Sequence, residues 1–581
     1  MRYPTIPVNP SSRQTVDVFK GYNHNLRIGD GEFYDMKNLT SDHYPVLSPR
    51  NKRSIFAETK HPNGLIAKDN LCWVDGTDFV MNHYHVDMGL TDAPKQLVSM
   101  GAYVIILPDK KWINTLDLTD YGNIEATFVS TTDVVFSLCT LTGDPYADVT
   151  TSAEEPKNPE NMALWIDTSS TPHTLKQYSV SSGMWVSIAT TYVRISATGI
   201  GKAFELYDGV TVSGIVDERL NSLNSSMTIW GKGDDYIIVV GILEETLTQL
   251  TTEGAVTVER KMPYMDYVVE AKNRLWGCRY GLAANGEVVN EIYASKLGDF
   301  KNWNCFMGVS TDSWAAQVGT DGVFTGAITH LGYPIFFKEN VLHKIYTSDS
   351  GAHAIQDTAG RGVQRGCHNS LAIVNETLYY KARSGICSYD GSLPVENAYA
   401  FGTEEYGEAV GGAIGNKYYV SMTDRRGERH LFVLDTAKNM WHREDGFFAE
   451  DFCTCRGELY AIDCDTKHIV AMLGSGDSGE KTVEWMAQTG EIGITTPDLK
   501  YVSRLNIKMQ LDSGSHVDLY AQYDSEDHWI HLFGITGTDL RSFSVPVKPH
   551  RCDYMRLLFE GKGNCKVFSI TKTVEQGSDR K

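Results

Sequence analysis

Long hydrophobic runs are missing. No apolar stretch in the 581 residues approaches the length of about 18 that a membrane-crossing helix needs, which excludes a helical span. The opening MRYPTIPVNPSS also lacks the apolar core of a secretion signal, so the expectation is a chain made in the cytosol that stays soluble. Excess positive charge is missing too: 53 Lys and Arg stand against 73 Asp and Glu, a formal charge of −20. A protein that holds nucleic acid through its phosphates needs the opposite sign. The chain as a whole is therefore no sequence-independent nucleic-acid binder; its charge fits ordinary solubility first, and it also suits a conduit that DNA crosses without sticking. The 11 cysteines include a C-x-C at Cys453–Cys455 but no zinc-type spacing. Free, buried thiols are expected, with no metal and no cofactor.

What is present is a recurring pattern of short β-branched and aromatic runs punctuated by Gly and Asn, the mark of strands joined by hairpin turns. From Asp266 to Thr347 the order of strand, tight turn, strand, short loop, strand appears twice. With the first hairpin turn as marker, the pattern recurs at Asn273, Gly332, Asn375, Asn416 and Gly457, the last three intervals being 43, 41 and 41 residues. Asn70 and Gly101 mark two earlier units. A period near 40 with several strands per unit predicts an all-β chain built on a β-propeller of about seven blades, with six as the alternative. No WD dipeptide occurs.

The propeller is expected over 57–120 and 264–473. Residues 1–56 read as an extended N-terminal arm with few core-type runs, ending in the small basic cluster SPRNKR. Residues 121–263 break the period and read as an insertion of β hairpins and a small barrel. Its expected strands are Tyr192–Ile195, Ala203–Tyr207, Val210–Ile215, Met227–Trp230 and Tyr236–Val240, and it is long in a way that a surface loop tolerates. GSGDSGEK, 474–481, reads as a linker: no helix follows it to make a dinucleotide cradle, and no His and Asp context supports a serine nucleophile. Over 482–575, Leu505, Ile507, Met509 and Leu511, then Val517, Leu519, Ala521 and Tyr523, alternate with polar residues. That strict period of two predicts a C-terminal β-sandwich of jelly-roll type. His83 and His85 are expected to share a strand face, without a third ligand. Among the many acidic residues, no carboxylate pair is singled out by spacing.

Two sets of residues carry a resemblance. The first is Phe19, Gly21, Asn23, Leu26, Gly31–Phe33, Asn38, Leu39, Pro45, Leu47, Arg50 and Arg53. The second is Asn273–Gly277, Ile292–Asp299, Gly322, Thr325–Gly326 and Phe336–Glu339. In this order they resemble the propeller-bearing structural proteins of tailed bacteriophages and prophages, over roughly residues 15–120 and 265–475. The resemblance implies a non-enzymatic virion protein of the tail or head–tail connection, made in the bacterial host cytoplasm. It implies a nozzle-like homo-oligomeric ring, six copies being favoured, that contacts other tail or connector proteins while DNA passes without sequence-specific binding. Arg50, Lys52 and Arg53 are the candidate assembly contacts. Two alternatives stay open. One is a receptor-binding tail protein that holds a host cell-surface glycan on Trp165, Trp185 or Trp529. The other is a propeller glycosidase or lyase acting on cell-wall polysaccharide.

Overall fold

A computed structural model describes residues 11–474, 478–494 and 499–576. Strands dominate it, and the helices among the described residues are short 3-10 segments of three to six residues. Seven sheets follow one another along the chain, which we number as blades 1 to 7. Blade 1 begins at Pro62–Ala67, blade 2 at Gln96–Met100, blade 3 at Tyr267–Ala271 and blade 4 at Gly326–His330. Blade 5 begins at Ala372–Val374, blade 6 at Tyr406–Ile414 and blade 7 at Ala449–Cys455. Blades 1 to 6 are four-stranded antiparallel meanders. The first strand of each blade lies against the first strand of the next, blade 4 reaching blade 5 through the turn His368–Ser370, and that of blade 7 lies against that of blade 1. This is the arrangement of a β-propeller. All seven turn markers fall between the first and second strands of a blade. At 272–273, 331–332, 375–376 and 456–457 both turn residues have positive φ, the backbone twist that two-residue hairpins require.

Blade 7 is five-stranded, and its fourth strand comes from the other end of the chain, flanked by the two-residue strand Ser478–Gly479. Ser54–Ala57 pairs with Ile469–Ala471, more than 400 residues away in sequence. The expected extended arm is therefore woven into its own molecule. Ser11–Val16 pairs with Cys565–Gln576, and Glu32–Lys37 pairs with Glu484–Thr489. Between them, Gly21–Tyr22 lies on the last strand of blade 6, so close that a Cβ on Gly21 would sit 2.3 Å from the Trp441 carbonyl. Phe19, Tyr22, Phe33 and Met36 are buried, and they join blades 4 to 6 and the C-terminal strands into one hydrophobic core. Those C-terminal strands are not a free-standing sandwich. They form one eight-stranded sheet that recruits Ser11–Val16, Gly21–Tyr22 and Glu32–Lys37. Its spine is the 24-residue strand Lys500–Tyr523, whose pairing changes partner at Asp512–Ser515, from Cys565–Gln576 to Met555–Lys562. The alternating residues Leu505 to Leu511 and Val517 to Tyr523 are all buried, as their period predicts. The middle of the expected linker, 475–477, lies outside the described residues.

The insertion occupies 126–260 as three sheets over its own core, which includes Phe136, Ile195, Phe204, Val210 and Val239. Four of its five expected strands form; Ala203–Tyr207 does not, because the chain there leaves a 3-10 turn. The eleven cysteines are free, nine of them buried and Cys453 and Cys464 half-buried.

The basic cluster has a different role from the one expected. Arg50 and Arg53 are each 6% exposed, so neither is available to a neighbour. Arg53 reaches Glu444 at 2.6 Å and Asp445 at 2.9 Å, and Arg50 reaches Glu480 at 2.7 Å and Glu444 at 3.4 Å. Only Lys52 is exposed. Buried guanidinium groups are tolerable when carboxylates meet them in fork geometry, and the carboxylates here come from blade 6 and from the segment after blade 7. Desolvation pushes the Asp445 carboxyl up, but the Arg53 and Arg50 charges outweigh it and leave it at about 2. Arg53→Ala is expected to cost about 3–5 kcal/mol, because it leaves carboxylates buried without their partner. Lys52→Ala should change stability by less than about 0.5 kcal/mol. Urea midpoints at unchanged m-value check both. Because the folded pKa of Asp445 lies below its unfolded value, its contribution is present above about pH 4 and is lost as pH falls toward 2.

Candidate functional site in the axial cavity

The first strands of the blades converge on a cavity of about 1010 Å³, within the range of small-molecule sites. Every blade lines it, or the segment that leads into the blade does. Lys60–Leu65 serves blade 1, Pro94–Leu97 blade 2, Met262–Tyr267 blade 3, Ala327–Ile328 blade 4, His368–Leu371 blade 5, Gly411 blade 6 and Glu450–Phe452 blade 7. The repeat explains this: each blade starts its first strand at the same end of the propeller.

Most cations at the wall are already neutralised. The Lys95 side chain is fully buried and meets Asp109 at 2.9 Å, Lys110 meets Glu125 at 2.6 Å, and Lys467 is bonded to Glu450. Two carboxyls stand apart from these pairs. Asp451 accepts the backbone N–H groups of Leu65 (3.0 Å) and Phe452 (2.9 Å), and desolvation raises it to about 6 despite them. Asp266 accepts the Tyr280 N–H at 2.8 Å, and desolvation likewise raises it. One opens blade 7 and the other blade 3, so with seven blades they face the cavity from well-separated sides. Around them are Phe452, Tyr264 and Tyr267, the last with its phenol pushed up to about 12 by burial. The His368 imidazole is held below its usual range by burial. Two carboxyls of raised proton affinity, paired lysines and aromatic rings can hold and polarise a hydroxyl-rich ligand and exchange protons with it.

The residues singled out from sequence lie elsewhere. Trp165 is buried in the insertion, with its Nε1–H donating to the Ser152 carbonyl (3.0 Å) and its ring 5.4 Å from that of Trp185. Trp165 is therefore a packing residue rather than an open platform. Trp185 is half-buried and also packs on Tyr178. Trp529 is half-buried in the loop before Ile530–Val545, in a different sheet, so the three do not form one surface. Asp424, Glu428 and His430 on blade 6 bring ligand atoms within 4.8 Å of one another. However, Asp424 already accepts the Arg426 and Glu428 N–H groups at 2.8 Å each, and among the described residues no fourth donor joins them. Sequence reasoning missed Asp266 and Asp451 because no motif surrounds them. Their shared signal is position, at or just before the start of a blade.

No known protein family matches the chain, and no curated protein does. Among solved structures it is similar to an acylaminoacyl peptidase of Pyrococcus horikoshii, at 10% identity over 50% of this chain and 47% of that one, TM-score 0.23. The chain thus spans about half the length of that peptidase. It is also similar to an exo-β-1,3-galactanase of Phanerochaete chrysosporium (8% identity, 52% and 94% covered, TM-score 0.19) and to a Trypanosoma rangeli sialidase (8%, 98% and 96%, TM-score 0.21). These neighbours are enzymes, so the expectation of a non-enzymatic protein is withdrawn. At these scores they say nothing about which reaction, if any, takes place here.

Because the folded pKa of Asp451 lies above its unfolded value, its burial weakens the fold as pH rises from about 4 to 6. Asp451→Asn is expected to abolish that part of the pH dependence. Urea unfolding of both proteins between pH 4 and 7 checks it: their stability difference should change with pH across this window and be constant outside it.

Proposed function

We propose that the chain is a structural component of a tailed-phage or prophage virion, in the tail or the head–tail connection, working by protein–protein assembly as a nozzle-like ring around the DNA path. The observation that carries this reading is the ordered pair of motif sets, and the roles of their residues in the fold support it. Phe19, Phe33, Leu39, Leu47, Arg50 and Arg53 are buried where the arm seams the propeller to the C-terminal sheet. Arg274 donates to the carbonyls of Ser295, Ser310 and Asp312 at 2.6–2.7 Å, Trp276 is buried, and Lys338 is buried with Asn290 at 2.9 Å. On this reading, what the chain would share with those phage proteins is the way a propeller is built and joined to its neighbour. Its partners would be further copies of itself and other tail proteins, and the charge of −20 suits a wall past which DNA slides. All seven blades, or the segments leading into them, line the axial cavity, and on this reading the DNA path lies between copies rather than through one. Averaged electron cryomicroscopy of the parent particle tests this reading. Density for the chain in a ring at the tail is expected, and its absence from purified virions overturns the proposal.

A second reading is favoured by Asp451 and Asp266: the axial cavity acts on a cell-surface polysaccharide, with Asp451 as proton donor. Turnover of host cell-wall polysaccharide by the purified chain should then fall about 10²–10⁴-fold in Asp451→Asn. Equal turnover by both proteins, or none by either, removes this reading.

A further inference from the structure

The half of the C-terminal sheet built on Lys500–Leu511 has two unpaired edges. Its strand order is Ser11–Val16, Cys565–Gln576, Lys500–Leu511, then the later part of Ile530–Val545, each antiparallel to the next. Among the described residues, Ser11–Val16 bonds only to Cys565–Gln576, and Ile530–Val545 only to Lys500–Tyr523. A row of N–H and C=O groups therefore faces outward along each. Edges of this kind are usually blunted with Pro, Lys, bulges or a covering segment; neither strand contains Pro or Lys, and Ser11–Val16 pairs without a bulge, while Ile530–Val545 shifts register opposite Met509–Leu511, Leu511–His516 and Leu519–Tyr520. The two edges are also compatible in direction. Ser11–Val16 runs in the sense of Lys500–Leu511 and Ile530–Val545 runs against it, so one laid on the other makes an antiparallel pair.

We infer that Ile530–Val545 of one copy receives Ser11–Val16 of a second copy, continuing the sheet from molecule to molecule. Because the edges lie at opposite ends of one sheet, the contact is heterologous and propagates around a ring. Charge fixes the register. Arg13 and Asp539 are both exposed, and neither joins a salt bridge among the described residues. Placing Arg13 opposite Asp539 brings Ser11–Val16 alongside Thr536–Arg541, a stretch in which the receiving strand shifts register against its own partner, so the Arg13–Asp539 pair rather than an unbroken ladder sets the alignment. This inference rests on the ring reading above and adds to it the surface through which copies meet.

The test uses the full chain with Arg13→Cys and Asp539→Cys together, oxidised mildly at high protein concentration, with the unsubstituted chain as background for its native thiols. Disulfide-linked dimers and higher oligomers are expected from the double variant and from neither single one. Charge exchange gives an independent reading by sedimentation: Asp539→Arg should weaken self-association about tenfold, since like charges then face each other, and adding Arg13→Asp should restore it. Misfolding would not be rescued by the second change. The inference is overturned if the double variant forms no intermolecular bond. It is equally overturned if Asp539→Cys alone dimerises, which would mean that the edge pairs with its own kind, or if the charge variants associate like the parent. The outcomes separate from those of the functional reading. A chain that is present in virions without the crosslink sinks the contact alone, and a crosslinking chain that is absent from virions sinks the virion role alone.

Discussion

The buried charge network around Arg50 and Arg53 is the constraint on which the rest of the molecule depends. Two guanidinium groups from the N-terminal segment satisfy Glu444 and Asp445 at the end of blade 6, and Glu480 beyond blade 7. Immediately after them the chain enters blade 7 as its added strand, and immediately before them it runs between blade 6 and the C-terminal sheet. Further ion pairs extend the seam: Asp35 with Arg443, Asp42 with Lys417 and Asp30 with Lys572, all at 2.6 Å. In a low-dielectric site such pairs contribute little net stability compared with apolar packing, but they penalise any other docking of the arm. Their effect here is to specify one register among strands that share no local sequence signal.

The legible parts of the fold were those set by local chemistry. Asn273, Gly332, Asn375 and Gly457 announce their hairpins because positive φ is required there and few other residues adopt it readily. Leu505 to Leu511 announce a half-buried strand because period two has one cause. Non-local features were opaque. SPRNKR looks like a solvated loop, and only the fold supplies the three carboxylates that bury it. Residues 482–575 carry enough alternation for a sheet, yet nothing in them says that three of its strands come from the other end of the chain. The cavity carboxyls were illegible for the same reason, since Asp266 and Asp451 become a pair only when blades 3 and 7 are placed on one ring.

The division between framework and cavity bears on how the resemblance to phage proteins is to be understood. Its first motif set falls on buried arm residues that seam the propeller to the C-terminal sheet, and its second on turn residues, a buried tryptophan and a buried lysine that build blades. None of the residues named for the axial cavity belongs to those motifs. The proposed virion role therefore draws on the framework and leaves the cavity free, and the two proposed readings of function concern different parts of one molecule rather than competing for the same residues.

The strand that completes blade 7 has a consequence in time. Ser54–Ala57 leaves the ribosome early, while its partner Ile469–Ala471 is made more than 400 residues later, roughly 20 to 80 s at usual rates of synthesis. Through that interval blades 1 to 6 can meander into place one after another from local pairings. The arm, however, has neither its blade nor its sheet, and it presents bare strand edges to whatever is near. Closing contacts of such sequence separation is slow once synthesis ends. Chain ends that must find each other last make this a fold whose vulnerable species is a nearly finished ring. Among identical nascent copies, the arm of one chain can complete the last blade of another.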